Sequence, residues 1–267
     1  MKKHSITAVI TFSGLIAVFL AGCATVPLTG RRQMNLIPSS QMSSMGASNY
    51  KSFLSQVKLS KDAKKVAMIK RAGRKTAAAT EEFLRENGLE SDLKYYDWEY
   101  NLIDDDKTIN AWAMPGGKIA FYTGILKLAK TEDEVAVIMG HEIAHVIANH
   151  GNERMSQMLL VQFGGIALNK LLEQKPEETK KVFMSAFGMG AQMGVLLPFS
   201  RKHEYEADRI GLNLMYKAGY KPKAAVKFWR KMTELSKGSP PEFLSTHPAS
   251  SKRVEELEKY IPKLGKN

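Results

Sequence analysis

The sequence His-Glu-Ile-Ala-His contains two histidines spaced to bind one metal ion and a glutamate beside them that could act as a general base. His141 and His145 stand four residues apart, so on a helix their side chains differ by about 40° of rotation and project from one face. Two imidazoles placed in this way bind Zn²⁺. Glu142 lies about 100° round the helix, where a general base for an attacking water belongs. The alternative is a pair of surface histidines.

A third ligand is expected further along the chain, because catalytic zinc has three protein ligands and one open position. Glu204 and Asp208 are again four residues apart and share a helix face. We expect Glu204 to bind the metal and Asp208 to accept the outer N–H of a ligand histidine, which fixes its tautomer. Glu206, about 200° from Glu204, should face away, and His203 is the weaker ligand candidate. The alternative is a solvated acidic helix face.

His150 is also close to the first motif, but its position argues against a role as a ligand. It lies five residues after His145, which on one continuous helix turns its side chain about 140° away. We therefore interpret His150 as a helix-end residue near the negative end of the helix dipole.

Capping signals define the helices that must position these side chains. Thr131 and Glu134 fit a capping box, and an apolar run follows them into the first motif. Gly151 is a fitting stop, so a helix is predicted over residues 131–150. The segment with Glu204 and Asp208, the second motif, is predicted to lie on a helix over residues 200–219.

The remaining segments predict an α+β domain, predominantly helical, over residues 61–267. β-Forming residues and Pro-Gly-Gly turn chemistry predict a small sheet from the segments 94–103, 109–113 and 118–123. Apolar patterns predict further helices over 61–87, 222–236 and 249–260. The apolar segment 153–197 is also predicted to be helical, with breaks at Gly164-Gly165 and Pro176. The apolar stretch 182–199 is interpreted as a packed helix or a mobile flap beside the site, with membrane contact as the alternative.

The N-terminus has the features of a secretory leader rather than of a folded segment. Two lysines precede an apolar run over residues 6–20, which is shorter than the roughly 20 residues of a spanning helix. The run ends in Leu-Ala-Gly-Cys, which resembles a bacterial lipobox and implies cleavage of residues 1–22 and lipidation of Cys23. Residues 23–60 would then form a lipidated tether, or N-terminal extension, with one short helix. An ordinary secretory signal or an uncleaved anchor is the alternative.

Composition narrows the remaining functional classes. The 267 residues include one cysteine, which excludes an internal disulfide and a cysteine-rich zinc ribbon. Hydrophobic residues make up 44% and charged residues 25%, so wholesale disorder is excluded. The net charge of +12 suits an anionic membrane or nucleic acid. An exported protein would not meet nucleic acid, so we expect no nucleic-acid partner.

Taken together, these motifs resemble those of the M48 family of zinc metallopeptidases. The sequence HEIAHVIANH is followed further along by SRKHEYEADRIG, and in this family HExxH and the glutamate of ExxxD hold zinc. The segments 110–124 and 240–248 match as well, and the resemblance covers about residues 24–262. With its leader, the chain is similar to the bacterial lipoprotein branch of the family.

The resemblance implies a zincin-type domain whose small sheet lines the active-site cleft with an edge strand. An extended substrate would pair with that strand. His247 would approach the zinc, either to donate to an oxyanion or to block the open metal position, and Arg253 would lie near the cleft. The residues of the substrate strand would be Ile119, Ala120, Phe121 and Tyr122.

The activity implied is metal-assisted peptide hydrolysis with one zinc per chain, held by His141, His145 and Glu204. Glu142 would act as the base and then as the acid. The substrates would be unfolded or misassembled envelope proteins, met at the periplasmic face of a Gram-negative outer membrane to which Cys23 anchors the chain. The alternative is a chaperone-like lipoprotein of the envelope-protein assembly machinery, with latent or minor proteolysis.

Overall fold

The computed structural model describes residues 23–173, 197–238, 241–248 and 250–265, together with a few positions between 175 and 185. The expected leader lies outside the described residues, as does most of the expected flap. Among the residues that are described, no helix combines the length and the apolar character needed to cross a bilayer.

The chain divides into two compact units. The smaller unit comprises residues 1–38 and 152–196, and the larger comprises residues 39–151 and 197–267. The candidate metal ligands and the candidate base, which come from the two motifs, all belong to the larger unit.

The smaller unit contains an antiparallel hairpin of strands β1 (Cys23–Thr25) and β2 (Arg32–Met34). The guanidinium of Arg31, next to this hairpin, donates two hydrogen bonds of 2.8 and 2.7 Å to the Glu153 carboxylate. This bidentate contact ties the N-terminal segment to a residue 122 positions further along the chain. Cys23 thus begins a paired strand.

Helices dominate the described chain, which confirms the predicted fold class. The larger unit adds one sheet, formed by β3 (Glu99–Ile103), β4 (Ala111–Met114) and β5 (Lys118–Tyr122). The helices, in chain order, are α1 (Ser39–Leu54), α2 (Ala63–Glu86), α3 (Glu132–Ile147), α4 (His150–Leu171), α5 (Leu197–Lys217), α6 (Lys223–Leu235), α7 (Glu242–Thr246) and α8 (Ser251–Tyr260).

Helix α1 extends the larger unit N-terminally beyond the boundary predicted at residue 61. Met42, Gly46 and Tyr50 recur at four-residue spacing and are buried, which is the stripe of a helix that packs on a core. The Tyr50 hydroxyl donates a 2.7 Å hydrogen bond to the carbonyl of Ile119 in the sheet. The segment 23–60 is therefore not a tether throughout. The sequence shows this helix only weakly, because small and polar residues surround the buried stripe.

The strand order is β3-β5-β4, so β5 is the central strand of the sheet. It pairs in parallel with β3 and antiparallel with β4. The prediction that residues 119–122 add a substrate strand is therefore wrong, because both edges of β5 are already paired. The edge strands are β3 and β4. The outer side of β4 pairs with no other strand in the part of the chain that the structure describes, whereas Ile103 of β3 forms a bridge with Leu59. Three consecutive β segments do not by themselves specify which one lies in the middle.

Helix α3 begins as the sequence predicts and ends earlier. The Thr131 side chain and Glu134 form the complete capping box, which confirms that expectation. The helix stops at Ile147, however, because Asn149 adopts a left-handed conformation with φ of 54°. His150 then starts α4 in a new direction. The assumption of one continuous helix to residue 150 is therefore wrong.

Helices α3 and α5 cross in direct backbone contact. A Cβ atom added to Gly140 would lie 2.7 Å from the carbonyl oxygen of Gly211, well inside van der Waals contact. Only glycine at both positions allows this approach. The crossing lies next to His141, so it brings the ligand-bearing faces of the two helices together.

Candidate active site

Three predicted ligand side chains converge between α3 and α5. The Nε2 atoms of His141 and His145 are 3.2 Å apart. Glu204 places Oε2 at 3.3 Å from Nε2 of His141 and Oε1 at 3.4 Å from Nε2 of His145. His141 and Glu204 are buried, and His145 is partly exposed.

These separations fit zinc. Ligand atoms bound at 2.0–2.1 Å on the corners of a tetrahedron lie roughly 3.3 Å from one another. The three distances agree with that value, and two imidazoles with one carboxylate are a ligand set of catalytic zinc. The residues present therefore fit the metal by donor chemistry and by spacing.

His247 supplies a fourth donor to the same cluster. Its Nδ1 lies 3.2 Å from Nε2 of His141 and 3.2 Å from Oε1 of Glu204. Its Nε2 faces the base, at 3.4 Å from Oε1 of Glu142. The ligand atoms of His141, His145, Glu204 and His247 all lie within 4.8 Å of one another.

Short contacts hold the loop that carries His247. The ring of His247 stacks on Phe243 at a centroid distance of 4.7 Å. The Phe243 amide donates to the carbonyl of Ile109, and the Asn110 side chain donates to Glu242 at 3.1 Å. The loop is therefore attached to the residues just before edge strand β4.

The Glu142 carboxyl is buried beside the ligand cluster, and its pKa is raised. Its residue is 3% exposed. Burial raises the pKa of the Glu142 carboxyl, and the nearby His247 and His141 offset that rise only in part. Its Oε1 has no well-formed hydrogen bond to any described residue. A buried carboxylate with this free oxygen suits proton transfer to and from a water molecule.

Arg253 contacts the two acidic residues of ExxxD, Glu204 and Asp208, and offsets part of their negative charge. Its Nε and Nη2 each donate 2.7 Å hydrogen bonds to the two oxygens of Asp208. Its Nη1 lies 3.0 Å from Oε2 of Glu204. Burial alone would raise the pKa of both carboxyls, but the Arg253 guanidinium lowers the pKa of Asp208 and holds that of Glu204 well below its usual range. Trp229 covers the guanidinium face at 3.6 Å.

The pKa values of the two ligand histidines are shifted in opposite directions. Burial alone would lower the pKa of His141, but the carboxylates of Asp208 and Glu204 raise it to about 9. Nδ1 of His141 lies 3.1 Å from Oδ1 of Asp208, which is where the predicted outer partner belongs. Burial drives the pKa of His145 well below its usual value, with Glu204 opposing it.

The edge strand β4 runs beside the base. In the β4–β5 ladder, Asn110 and Tyr122 form a hydrogen-bonded pair. Because such pairs alternate, the backbone groups of Ala111 and Ala113 point outward. The Ala113 amide is near enough to Glu142 to lower the pKa of its carboxyl slightly.

The sequence misplaced one buried residue beside the site, His150, which lies among two other buried polar side chains. Nδ1 of His150 lies 2.8 Å from Nδ1 of His145, and Nε2 of His150 lies 3.1 Å from Oε2 of Glu206. His203 stacks on His150 at 4.2 Å. Asn149 is the signal that could have located His150, because asparagine tolerates the left-handed conformation that ends a helix.

Comparison with known proteins agrees with this geometry. The profile of peptidase family M48 matches residues 74–261. The chain belongs to peptidase family M48. Because M48 members are zinc metallopeptidases, the family and the four-residue cluster together identify zinc as the metal of this M48 site.

Relatives of this M48 chain come from mitochondria and bacteria. Mitochondrial metalloendopeptidase OMA1 of Schizosaccharomyces pombe is 39% identical over 174 residues, covering 64% of the chain and 48% of the relative. The human protein named Metalloendopeptidase OMA1, mitochondrial, is 29% identical over 246 residues, or 88% and 45%. The Beta-barrel assembly-enhancing protease of Escherichia coli is 28% identical over 162 residues, or 59% and 33%. The chain spans about half the length of these relatives or less.

Proposed function

We propose that this chain is a zinc-dependent endopeptidase in which Glu142 transfers the proton. The observation that carries the proposal is the buried Glu142 carboxyl, with its raised pKa, beside two histidines and a glutamate at tetrahedral spacing. When bound, zinc supplies a Lewis acid that activates water and polarises the scissile carbonyl. Glu142 accepts the proton of the attacking water and returns it to the leaving amine. No nucleophilic serine or cysteine is required.

The substrate is proposed to bind as an extended strand along β4. The Ala111 amide already donates a 2.9 Å hydrogen bond to the Asn110 side chain. The backbone groups of Ala113, which point away from β5, are the hydrogen-bonding groups that an added strand needs. Such pairing recognises main chain rather than one side chain. It therefore favours unfolded or misassembled polypeptides, because a folded protein keeps its backbone groups paired.

His247 is proposed to hold the enzyme latent. Its Nδ1 approaches the other ligand atoms as closely as they approach one another. A fourth protein donor closes a zinc site, whereas catalysis needs an open position. This geometry favours the blocking role over donation to an oxyanion. Release of the loop from its Phe243 and Asn110 contacts would open the site.

An envelope location is part of the proposal. The lipobox-like Leu-Ala-Gly-Cys supports lipidation of Cys23, and two or more acyl chains give a stable membrane anchor. The name of the Escherichia coli relative, an assembly-enhancing protease for β-barrels, supports misassembled envelope proteins as substrates. The same name favours the second candidate, a chaperone-like lipoprotein of the assembly machinery with minor proteolysis.

Zinc content and casein cleavage of the purified chain in detergent test the activity. We compare wild type, Glu142→Gln and His247→Ala, with Ser245→Ala, exposed in the same loop, as the control. We expect about one zinc per chain in all of them. Cleavage should rise in His247→Ala and vanish when Glu142→Gln is added. Absence of zinc after reconstitution, or cleavage that survives Glu142→Gln, would overturn the proposed activity.

Two further measurements separate the remaining alternatives. Binding to an unfolded outer-membrane protein that survives Glu142→Gln, with no cleavage by any variant, would favour the chaperone-like candidate. Incorporation of labelled palmitate that is lost in Cys23→Ser tests the anchor. Equal labelling of both forms would refute lipidation at this residue.

A further inference from the structure

A buried chain of hydrogen-bonding groups leads away from His145 on the side opposite the metal ligand atoms. Nδ1 of His145 meets Nδ1 of His150 at 2.8 Å, and Nε2 of His150 meets Oε2 of Glu206 at 3.1 Å. His150 and Glu206 are each 4% exposed. His203 lies flat against His150, with an interplanar angle of 11°. The carboxylate and the metal ligand are thus joined through one intervening imidazole.

The direction of the protons in this chain follows from its two ends. A carboxylate only accepts hydrogen bonds, so His150 must carry a proton on Nε2 to meet Glu206. With the His150 ring neutral, its Nδ1 is the acceptor, and Nδ1 of His145 donates to it. Nε2 of His145 is left with its lone pair, and this is the atom that faces Glu204 and His141.

We infer that Glu206 and His150 act as positioning residues that fix the tautomer and ring orientation of the ligand His145. His141 has a carboxylate, Asp208, directly behind it. His145 instead has a carboxylate one imidazole further away, which the left-handed turn at Asn149 makes available. The two ligands are therefore oriented by two separate outer acids. This inference rests on the metal site of the proposed function.

The first test compares two replacements of His150 in the purified chain. His150→Phe keeps a flat ring for the stack with His203 but removes both hydrogen bonds. His150→Gln loses the ring but keeps an acceptor and a donor. The zinc dissociation constant is measured by competition with a chelator. We expect it to rise roughly 10- to 100-fold in His150→Phe and to stay within about threefold of wild type in His150→Gln.

A role in packing alone predicts the opposite order of the two variants. Equal zinc affinity in His150→Phe and wild type would therefore overturn the inference while leaving the peptidase proposal intact. If wild type itself binds no zinc, the proposed function fails with it. Circular dichroism verifies that both variants fold.

The second test needs no variant. Long-range ¹H–¹⁵N spectra of histidine-labelled chain, with zinc and with chelator, report which ring nitrogens carry protons. We expect His145 to be protonated at Nδ1 and His150 at Nε2 only. A proton on Nδ1 of His150 would overturn the inference, because that nitrogen would then donate to His145 rather than accept from it.

Discussion

Replacing Gly211 with alanine should force apart the two helices that carry the metal ligands. The added methyl carbon would lie 2.7 Å from the carbonyl carbon of Gly140 and 2.8 Å from the amide nitrogen of His141. Ordinary contacts of this kind are roughly 3.5 Å, so the helices must separate by about 0.8 Å. The atoms in the way belong to backbone, so no side-chain rotation relieves the clash.

That separation is large on the scale of a zinc site. Glu204 on α5 and the histidines on α3 must meet the metal within about 0.2 Å of their ideal distances. We expect the zinc dissociation constant of Gly211→Ala to rise roughly 10- to 100-fold. The free energy of unfolding should fall by about 1–3 kcal/mol, as for other overpacked cores. Chelator competition and urea unfolding measure the two quantities.

Gly151→Ala is the matched control, because Gly151 is also helical but a Cβ there meets nothing within 4 Å. It should leave zinc affinity unchanged and stabilise the chain by up to about 1 kcal/mol. Wild-type zinc affinity and stability in Gly211→Ala would refute the argument that this crossing sets the ligand spacing.

Other perturbations test the electrostatics and the edge strand. Zinc binding at neutral pH should release about one proton per chain, because His141, with a pKa of about 9, must give up its proton to bind. Zinc affinity should therefore increase as pH rises toward 9. Calorimetry in buffers of different ionisation enthalpy measures the proton release, and its absence would contradict the prediction. Arg253→Met removes the cation that contacts two buried carboxylates, so it should lower the free energy of unfolding of the zinc-free chain, measured with urea, by about 3–5 kcal/mol. The control Arg230→Met, at an exposed pair with Glu258, should change this free energy by about 0.5 kcal/mol or less. Ala113→Pro removes an outward amide that also lies near Glu142. It should raise KM for casein roughly three- to tenfold in a His247→Ala background. An unchanged KM, or an effect on kcat and its pH profile alone, would argue against substrate addition at β4. Trp112→Pro removes an amide of the β4–β5 ladder and should instead destabilise the fold.

The proposed latency and the proposed catalysis both depend on the loop that carries His247. His247 lies close to both the ligand cluster and the base, so one movement would open the metal position and uncover Glu142 together. The contacts between α7 and the residues before β4 also connect this movement to the strand where substrate is proposed to bind. A substrate that adds to β4 would therefore compete for the segment that holds the loop closed.

The metal ligands on each helix could be predicted from the sequence because helical geometry is local. Residues four apart share a face wherever a helix forms, so the pairs in HExxH and ExxxD are specified by spacing alone. The start of α3 was predictable for the same reason, since the capping box is a contact between residues three apart. The predominance of helix also follows from local periodicity.

Only the tertiary structure decided what these local elements meet. The central place of β5, the fold-back of His150 onto His145 and the inward position of Glu206 depend on contacts between distant segments. The reach of Arg253 and His247 into the cluster does as well. The apolar period of a helix or strand is visible in its own sequence, but the segment that each face packs against depends on the whole domain. A single left-handed residue, Asn149, redirects the chain at His150 and so changes which side chains meet.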